Sequence, residues 1–398
     1  MDTTQLPPST SPTLTLAHPT AAETQQIWTQ TSALWTDALT VPQYLEEYAY
    51  LLTVPLARDH GITQWILVDS HDNLTVAADD LNRGEGTRRV LASCETFRKR
   101  AFLANRLGSD DSENFEEGCT ETVVHGIASV FCDPRLRGRG YASRLLKELS
   151  RVLPRWQADE VEKAGGVGSV LYSDIDPAFY KRLGWVPFPS DHLEFEPAQL
   201  DHAAEQLYAE SLAALCQRDE EILRASMSRP SPTGDGGKTR FAIIPDHDHM
   251  LWHHAKEEFG ARKLFGSGKE PGIKGAVAGP AGNRVWAIWT HRFYRHPQND
   301  DSAANTLYIL RLVTETSSPA PESMRAVLHA AQSEAASWGL GKVKVWNPHR
   351  ELEEAIRAAG VNFDKKKREY DSVPCLNWFG EESPDEVEWV LNEKYAWC

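Results

Sequence analysis

Several things are missing from this 398-residue chain, and each absence removes a class of protein. No apolar run approaches the length of a bilayer-spanning helix, so no membrane partner is expected. No Lys or Arg precedes Arg58, which speaks against a secretory n-region and a basic transit peptide and points to the cytoplasm. Six cysteines (94, 119, 132, 216, 375 and 398) show no C-x-x-C spacing, so reduced thiols are the expectation. Basic residues are in deficit, 42 Lys+Arg against 57 Asp+Glu, for a net charge of -15. That balance disfavours a nucleic-acid partner and suits a cationic small molecule, although acidity is also an ordinary route to solubility.

Apolar residues make up 41% and charged residues 25%, as in soluble globular proteins, and the length suits two domains. Residues 1–13, rich in Thr, Ser and Pro, read as a disordered tail. The informative stretch is 123–153. β-branched and small apolar residues to Phe131 read as a strand, followed by an Asp133-Pro turn and the cluster Arg135-Leu-Arg-Gly-Arg-Gly-Tyr-Ala142. Apolar residues at 142, 145, 146, 149, 152 and 153 then fall at helical spacing. A glycine turn at a helix N-terminus presents orphan N–H groups and a positive dipole end to an anion, and arginine adds fork-shaped donors. The expected ligand carries a pyrophosphate. It is not a nicotinamide site: Gly138-Arg-Gly140 is followed by Tyr141, Ala142 and Ser143, without the third glycine of G-x-G-x-x-G. Gly237-Lys238-Thr239 is no Walker loop, because Pro232 stands where its first glycine belongs.

Strand, turn and helix together resemble the acetyl-CoA signature R/Q-x-x-G-x-G/A of the GNAT superfamily of N-acetyltransferases. Two registers fit, Arg137-x-x-Gly140-x-Ala142 and Arg135-x-x-Gly138-x-Gly140, and the first places Leu145 and Leu146 toward the sheet. A second segment, Gly168-Ser-Val-Leu-Tyr-Ser-Asp-Ile175 followed by Phe179-Tyr180 and Gly184-Trp185, resembles the superfamily's fifth strand and its F-Y-x-x-x-G-[FW] motif. Over nearly the whole chain the sequence is similar to the fungal lysine acetyltransferases of lysine catabolism. The segments carrying that likeness are 170–175, Pro245-Asp-His-Asp-His-Met-Leu-Trp-His-His254, and Trp338-Gly-Leu-Gly-Lys-Val-Lys-Val-Trp-Asn-Pro348.

The resemblance implies an α/β (α+β) architecture: an acetyl-CoA-binding GNAT domain over 14–198 with a mixed, splayed sheet, a helix and linker at 199–239, and a degenerate GNAT-like substrate or lid domain over 240–398. In that second half strands are expected at 284–293, 306–313 and 342–346 and a helix at 322–338. The turn at 315–322 has neither arginine nor glycine, so one cofactor site is expected.

For acetyl-CoA the resemblance implicates Ser129, Val130, Phe131 and Cys132 at the end of the fourth strand. It adds Arg135, Arg137, Gly138, Arg139, Gly140, Tyr141 and Ala142 in the turn, and Ser173. Tyr180 matches the tyrosine that protonates the leaving thiolate. A lysine ε-amine, with a pKa near ~10.4, must give up a proton before attack. The fourth strand, read from Val123 to Phe131, holds no carboxylate, so His125, Asp174, Asp246 or a water chain remain open as the base. Asp246, Asp248, His249, Trp252 and the carboxylate of Cys398 are candidates for holding a small-molecule amine. His249 and His253, four apart, could share a helix face, but no H-E-x-x-H pattern accompanies them and no metal is expected. Other readings stay open at this stage: another small amine such as a polyamine, a peptide lysine, or a non-catalytic acyl-CoA-binding scaffold. Oligomeric state is not legible.

Overall fold

β-branched segments and amphipathic helices assemble into two mixed sheets in the computed structural model, which describes residues 6–72, 87–104, 118–157, 165–229, 238–266, 268–299 and 301–397. In chain order the first elements are β1 (Leu14–Ala17), α1 (Ala21–Trp35), α2 (Val41–Leu51), β2 (Ile62–Asp69), β3 (Ala92–Ala104) and β4 (Thr120–Phe131). Then come α3 (Tyr141–Val152), β5 (Gly168–Ser173), α4 (Ala178–Lys181), β6 (Val186–Pro187), β7 (Asp191–Phe195) and β8 (Glu205–Leu207). The chain continues through α5 (Ala209–Met227), β9 (Thr239–Ile243), α6 (His247–Phe265), β10 (Gly275–Ala278), β11 (Val285–Arg292) and β12 (Thr306–Thr314). It ends with α7 (Pro321–Ser337), β13 (Lys342–Trp346), α8 (Arg350–Ala358), β14 (Asp364–Lys367), β15 (Val373–Trp378) and β16 (Val387–Trp389). The acidic stretch 105–117 and most of the expected linker, 230–237, lie outside the described residues.

Local chemistry sets the helix starts. Thr20 accepts from the Glu23 N–H at 3.2 Å while the Glu23 carboxylate accepts from the Thr20 N–H at 2.8 Å, a reciprocal cap on α1. On α3, Tyr141, Leu145, Leu146 and Leu149 are buried in one stripe, and they anchor the cluster that packs this helix on the first sheet.

The first sheet runs β1-β2-β3-β4-β5-β15-β6, with β9 on the far end of β3 and β16 on β9. The second runs β14-β7-β13-β12-β11-β10-β8. Each contains one parallel pair joined through a helix: β4 and β5 through α3, and β12 and β13 through α7. The repeat expected from sequence is therefore present, but the two halves trade strands. β7 leaves the first half to lie between β13 and β14, and β15 leaves the second half to lie between β5 and β6. Each sheet thus draws strands from both sides of the segment 199–239, because pairing partners distant in sequence are invisible to local patterning. A third cluster, including Val124, Val170, Phe241, Trp286, Leu310 and Tyr395, packs residues of both sheets together.

The expected tail also departs from expectation. From residue 6 it lies on α3: Tyr141 Oη donates to the Pro7 carbonyl at 2.7 Å, and the Arg144 guanidinium donates to the carbonyls of Ser9 and Ser11 at 3.0 and 3.2 Å. Composition alone suggests disorder, but a guanidinium that gathers successive carbonyls holds a polar segment without an apolar core.

Candidate active site

The site begins with an irregularity in β4. Ser93 pairs with Phe131 and Glu95 with Ala128, so three steps on β4 answer two on β3. The extra residue bends β4 at Ser129, whose φ of +53° is the left-handed conformation that non-glycine residues rarely hold. On its other side β4 pairs with β5 only over 124–127 against 168–171. Beyond Ile127 and Leu171 the parallel strands part, and a cavity of about 1020 Å³ opens between them.

One end of the cavity is the glycine turn. Arg137, Gly138, Gly140, Tyr141 and Ala142 line it, with Cys132 and Leu136 beside them. Gly140 precedes α3 with φ +86°, and Gly138 has φ +77° with no heavy atom within 4 Å of where a Cβ would stand. Free N–H groups at a helix start, next to open space kept by glycine, fit a pyrophosphate. Arg137 Nε donates to the Cys132 carbonyl at 3.2 Å, fixing that side chain at the rim. Ile127, Val130, Leu171 and Phe179 continue the wall as an apolar slot suited to a pantetheine arm.

Two titratable groups face the slot from opposite elements. Tyr180 on α4 is 9% exposed; burial, with Asp174 and two thiols nearby, drives its phenol well above the usual range, so it stays protonated. Glu95 on β3 is 8% exposed, and burial raises its carboxyl pKa against the opposing hydrogen bonds of Ser129 and Gln64. Gln64 Nε2 donates to Glu95 Oε1 at 3.2 Å, and Tyr48 Oη lies 3.2 Å from Ser129 Oγ. The bulge therefore holds a serine hydroxyl between a buried carboxylate and the half-buried phenol of Tyr48. A raised carboxyl pKa beside a protonated phenol is the separation that base and acid require. Glu95 is absent from the residues expected as the base because it stands on β3, the neighbour of the strand that carries the motif. A single carboxylate in the apolar run Ala92-Ser-Cys-Glu-Thr-Phe97 is its only signal in the sequence.

Asp174 also lines the cavity, its pKa raised by burial, and it accepts from the Ser372 N–H and Oγ at 2.9 and 3.2 Å. His125 does not reach the site. It sits on the still-paired part of β4, opposite Ser169, with Nε2 3.1 Å from the Trp156 carbonyl, and burial lowers its pKa to about 4. Phe131, Arg135, Arg139 and Ser173 are off the cavity wall. Arg135 is instead turned onto Asp133 at 2.5 Å, and Ser173 Oγ donates to the Ile175 carbonyl at 2.7 Å.

Of the described residues suggested for the amine, only Trp252 lines the cavity, edge-to-face with Phe97 at 5.1 Å. Asp246 caps α6, accepting from the His249 N–H at 3.1 Å, and Asp248 is exposed. One histidine of this segment reaches the C-terminal turn directly, while His254 Nε2 lies 2.9 Å from the Trp289 carbonyl. His253 Nε2 lies 3.1 Å from the Tyr395 carbonyl, while Lys99, 3.4 Å from His249, donates to the Ala396 carbonyl at 3.1 Å. Tyr395 donates to the Ile243 carbonyl at 2.5 Å, and Trp397 reaches the cavity wall. Cys398 lies outside the described residues. No group of three or more His, Cys, Asp or Glu arranged for a metal occurs among the described residues.

A parallel pair that parts in mid-sheet, with a glycine-led helix aimed into the gap, is how GNAT enzymes take acetyl-CoA, and the chain is an N-acetyltransferase of this class. A family model described as the LYC1 GNAT-like C-terminal domain matches residues 187–398, and the chain belongs to that family. A lysine acetyltransferase of Yarrowia lipolytica (strain CLIB 122 / E 150) is 25% identical over 366 residues, covering 79% of this chain and 85% of the relative. Among solved structures, a GCN5-related N-acetyltransferase from Kribbella flavida aligns with TM-score 0.48 at 13% identity, covering 91% of this chain and 70% of that one. Another from Anabaena variabilis ATCC 29413 aligns with TM-score 0.48 at 11% identity, covering 91% and 72%.

Proposed function

We propose that the chain transfers the acetyl group of acetyl-CoA to the ε-amino group of free L-lysine, directly and within a ternary complex. The observation that carries this reading is the pair Glu95 and Tyr180 on the walls of one cavity whose far end is the Gly138–Gly140 turn. In this reading Arg137 and the N–H groups opening α3 hold the pyrophosphate. Glu95 accepts the proton of the incoming ammonium, and Ser129 positions that carboxylate from the bulge. The neutral amine attacks the thioester carbonyl, the C–S bond breaks and Tyr180 donates its proton to the departing thiolate, while the second proton lost by the attacking nitrogen as the amide forms returns Tyr180 to its phenol form. A two-step route through an acetylated side chain is unnecessary, since the described cysteine nearest the turn, Cys132, has its thiol pKa raised by burial. The lysine assignment is supported by the 25%-identical fungal relative and by the acidic balance of the chain.

The test is a steady-state assay of thiol release with L-lysine, L-ornithine, polyamines and a basic peptide, with mass spectrometry locating the acetyl group. Transfer to the ε-nitrogen of free lysine with the highest kcat/KM is expected. A higher kcat/KM for a polyamine or for the peptide would refute the substrate, and no thiol release with any amine would refute the enzyme.

A further inference from the structure

Beside the cofactor cavity lies a charged alcove, with about 40 Å³ of free space, that shares Lys256, Arg292 and Trp397 with the cavity wall. Space on that scale admits small polar groups rather than a second chain. Its charges alternate in sign and come from both halves of the protein. Asp37 follows α1 and Glu47 lies on α2, while Lys256 comes from α6 and Arg292 closes β11. Arg292 pairs with Asp37 at 2.5 Å, and Lys256 pairs with Glu47 at 2.5 Å.

Arg292 is the unusual member. Its side chain is 18% exposed, its guanidinium lies over the rings of Tyr294 and Trp397 at 5.4 and 5.6 Å, and its Nε is buried with no hydrogen-bond partner. A buried guanidinium N–H left unmet is costly, and guanidinium forks match carboxylates in shape and charge. The carboxylates of Asp37 and Glu47 supply the opposite charge within the same alcove. Phe97 and Trp252 line the shared cavity with Glu95, providing apolar surface for a methylene chain between the charged ends.

We infer that this alcove is the head-group site for a free α-amino acid, with Arg292 taking the α-carboxylate and Asp37 with Glu47 facing the α-ammonium. The inference rests on the reading of the protein as a lysine ε-acetyltransferase and identifies what would make it choose the free amino acid. A diamine of the same length lacks the carboxylate and leaves Arg292 with Asp37 alone and its Nε unmet; a lysine within a peptide has neither free α-group.

Calorimetric titration of the full chain, saturated with CoA, tests this with L-lysine, L-lysinamide and cadaverine as probes. L-lysine should bind about tenfold or more tightly than either probe that lacks the carboxylate, the effect of losing a charge-assisted hydrogen bond. Arg292→Gln should erase that preference. Because Asp37 would be stranded in the single variant, the Asp37→Asn/Arg292→Gln double variant is measured beside it, and the comparison of probes on the unaltered chain requires no substitution. Equal affinity for lysine and lysinamide, no detectable lysine binding, or a preference that survives Arg292→Gln would each overturn the inference. Thiol release from acetyl-CoA is followed in parallel. Carboxylate-dependent lysine binding without turnover would support the site while refuting the enzymatic reading. Equal turnover of lysine and cadaverine without binding preference would do the reverse.

Discussion

Replacing Glu95 by Gln should move activity and stability in opposite directions. The amide keeps the shape of the side chain and can still accept from Gln64, but it cannot take a proton from an ammonium. Loss of a general base costs about 10²- to 10⁴-fold in rate, or roughly 2.7–5.5 kcal/mol of transition-state stabilisation. Stability follows from the raised pKa. Burial lifts the Glu95 carboxyl above its ordinary value of 4.5, so the folded chain holds this proton at a pH where the unfolded chain has released it. The folded state then binds more protons than the unfolded one, and stability declines as pH rises between the two values. Each tenfold difference in proton affinity between the states is worth about 1.4 kcal/mol. An amide does not titrate and brings no such decline, so above that window the Glu95→Gln variant should be at least as stable as its parent.

The assays are kcat for lysine across pH, and denaturant midpoints at acidic and alkaline pH. The parent's rate should rise with pH as Glu95 ionises, and that limb should vanish in the variant. Asp174→Asn is the comparison, because Asp174 faces the same cavity but is held by Ser372. A Glu95→Gln enzyme retaining kcat within about threefold of its parent would refute the assignment, since a base should contribute far more. So would an exchange of roles in which Asp174→Asn carries the large loss.

Other consequences are measurable. Arg137→Ala should raise the acetyl-CoA KM about tenfold with little change in kcat, the loss of a charge-assisted contact to the cofactor. Tyr180→Phe should instead lower kcat about 10²-fold, leaving that KM near its parent value. Gly140→Ala forces a side chain into a φ of +86°, at a cost of roughly 1–2 kcal/mol, and puts its Cβ 2.7 Å from Ser9 Oγ. Chemical denaturation of Gly140→Ala with and without Ser9→Ala should recover only the contact part, and a cost-free single variant would show that the turn relaxes. Finally, burial alone would lower the pKa of His291, but hydrogen-bonded Glu257 and Glu334 at 2.7 and 3.1 Å raise it. Its stabilising share is complete below the unfolded value near ~6.5 and is lost as pH rises through the folded value, so His291→Gln should flatten that part of the stability profile.

What is legible in the sequence is what lies along one continuous stretch. β4, the glycine turn, α3, β5 and α4 follow one another from 120 to 181, so the segments whose motifs resemble the GNAT signature, with the glycine turn and Tyr180, are continuous in the sequence. Where two strands meet, reading along the chain fails. Glu95 reaches the site because β3 pairs with β4 at Ala128, a register no local pattern encodes. His125 is attractive because it shares a strand with the bulge, but it sits where β4 is still paired to β5 and the Trp156 turn covers it. Within the His-rich run at 247–254, His253 has its partner about 140 residues further on, in the Tyr395 carbonyl, and His254 has its partner in the Trp289 carbonyl of β11. Arg292 gives no signal in its own neighbourhood, since Asp37 and Trp397 approach it from opposite ends of the chain.

The exchanged strands bear on what the second half does. A lid that swings on a linker would need a sheet of its own, free of the first. Here β15 is hydrogen-bonded to β5 along 373–378 and 168–173, directly beside the part of β5 that lines the cavity. β7 is held in the same way by β13 and β14. Rigid rotation of one half against the other would break both ladders at once and expose the aromatic cluster between the sheets. The second half is therefore hydrogen-bonded into the first as part of the cavity wall. Its own turn after β12 has neither the glycines nor the arginine of a phosphate site, and its contribution to the cavity is made elsewhere: by α6, by the end of β11, and by the C-terminal turn to which His253 is hydrogen-bonded. On the proposed reading, this wall sets the distance between Arg292 and Glu95, and a site that measures the length of an amino-acid side chain depends on such a distance.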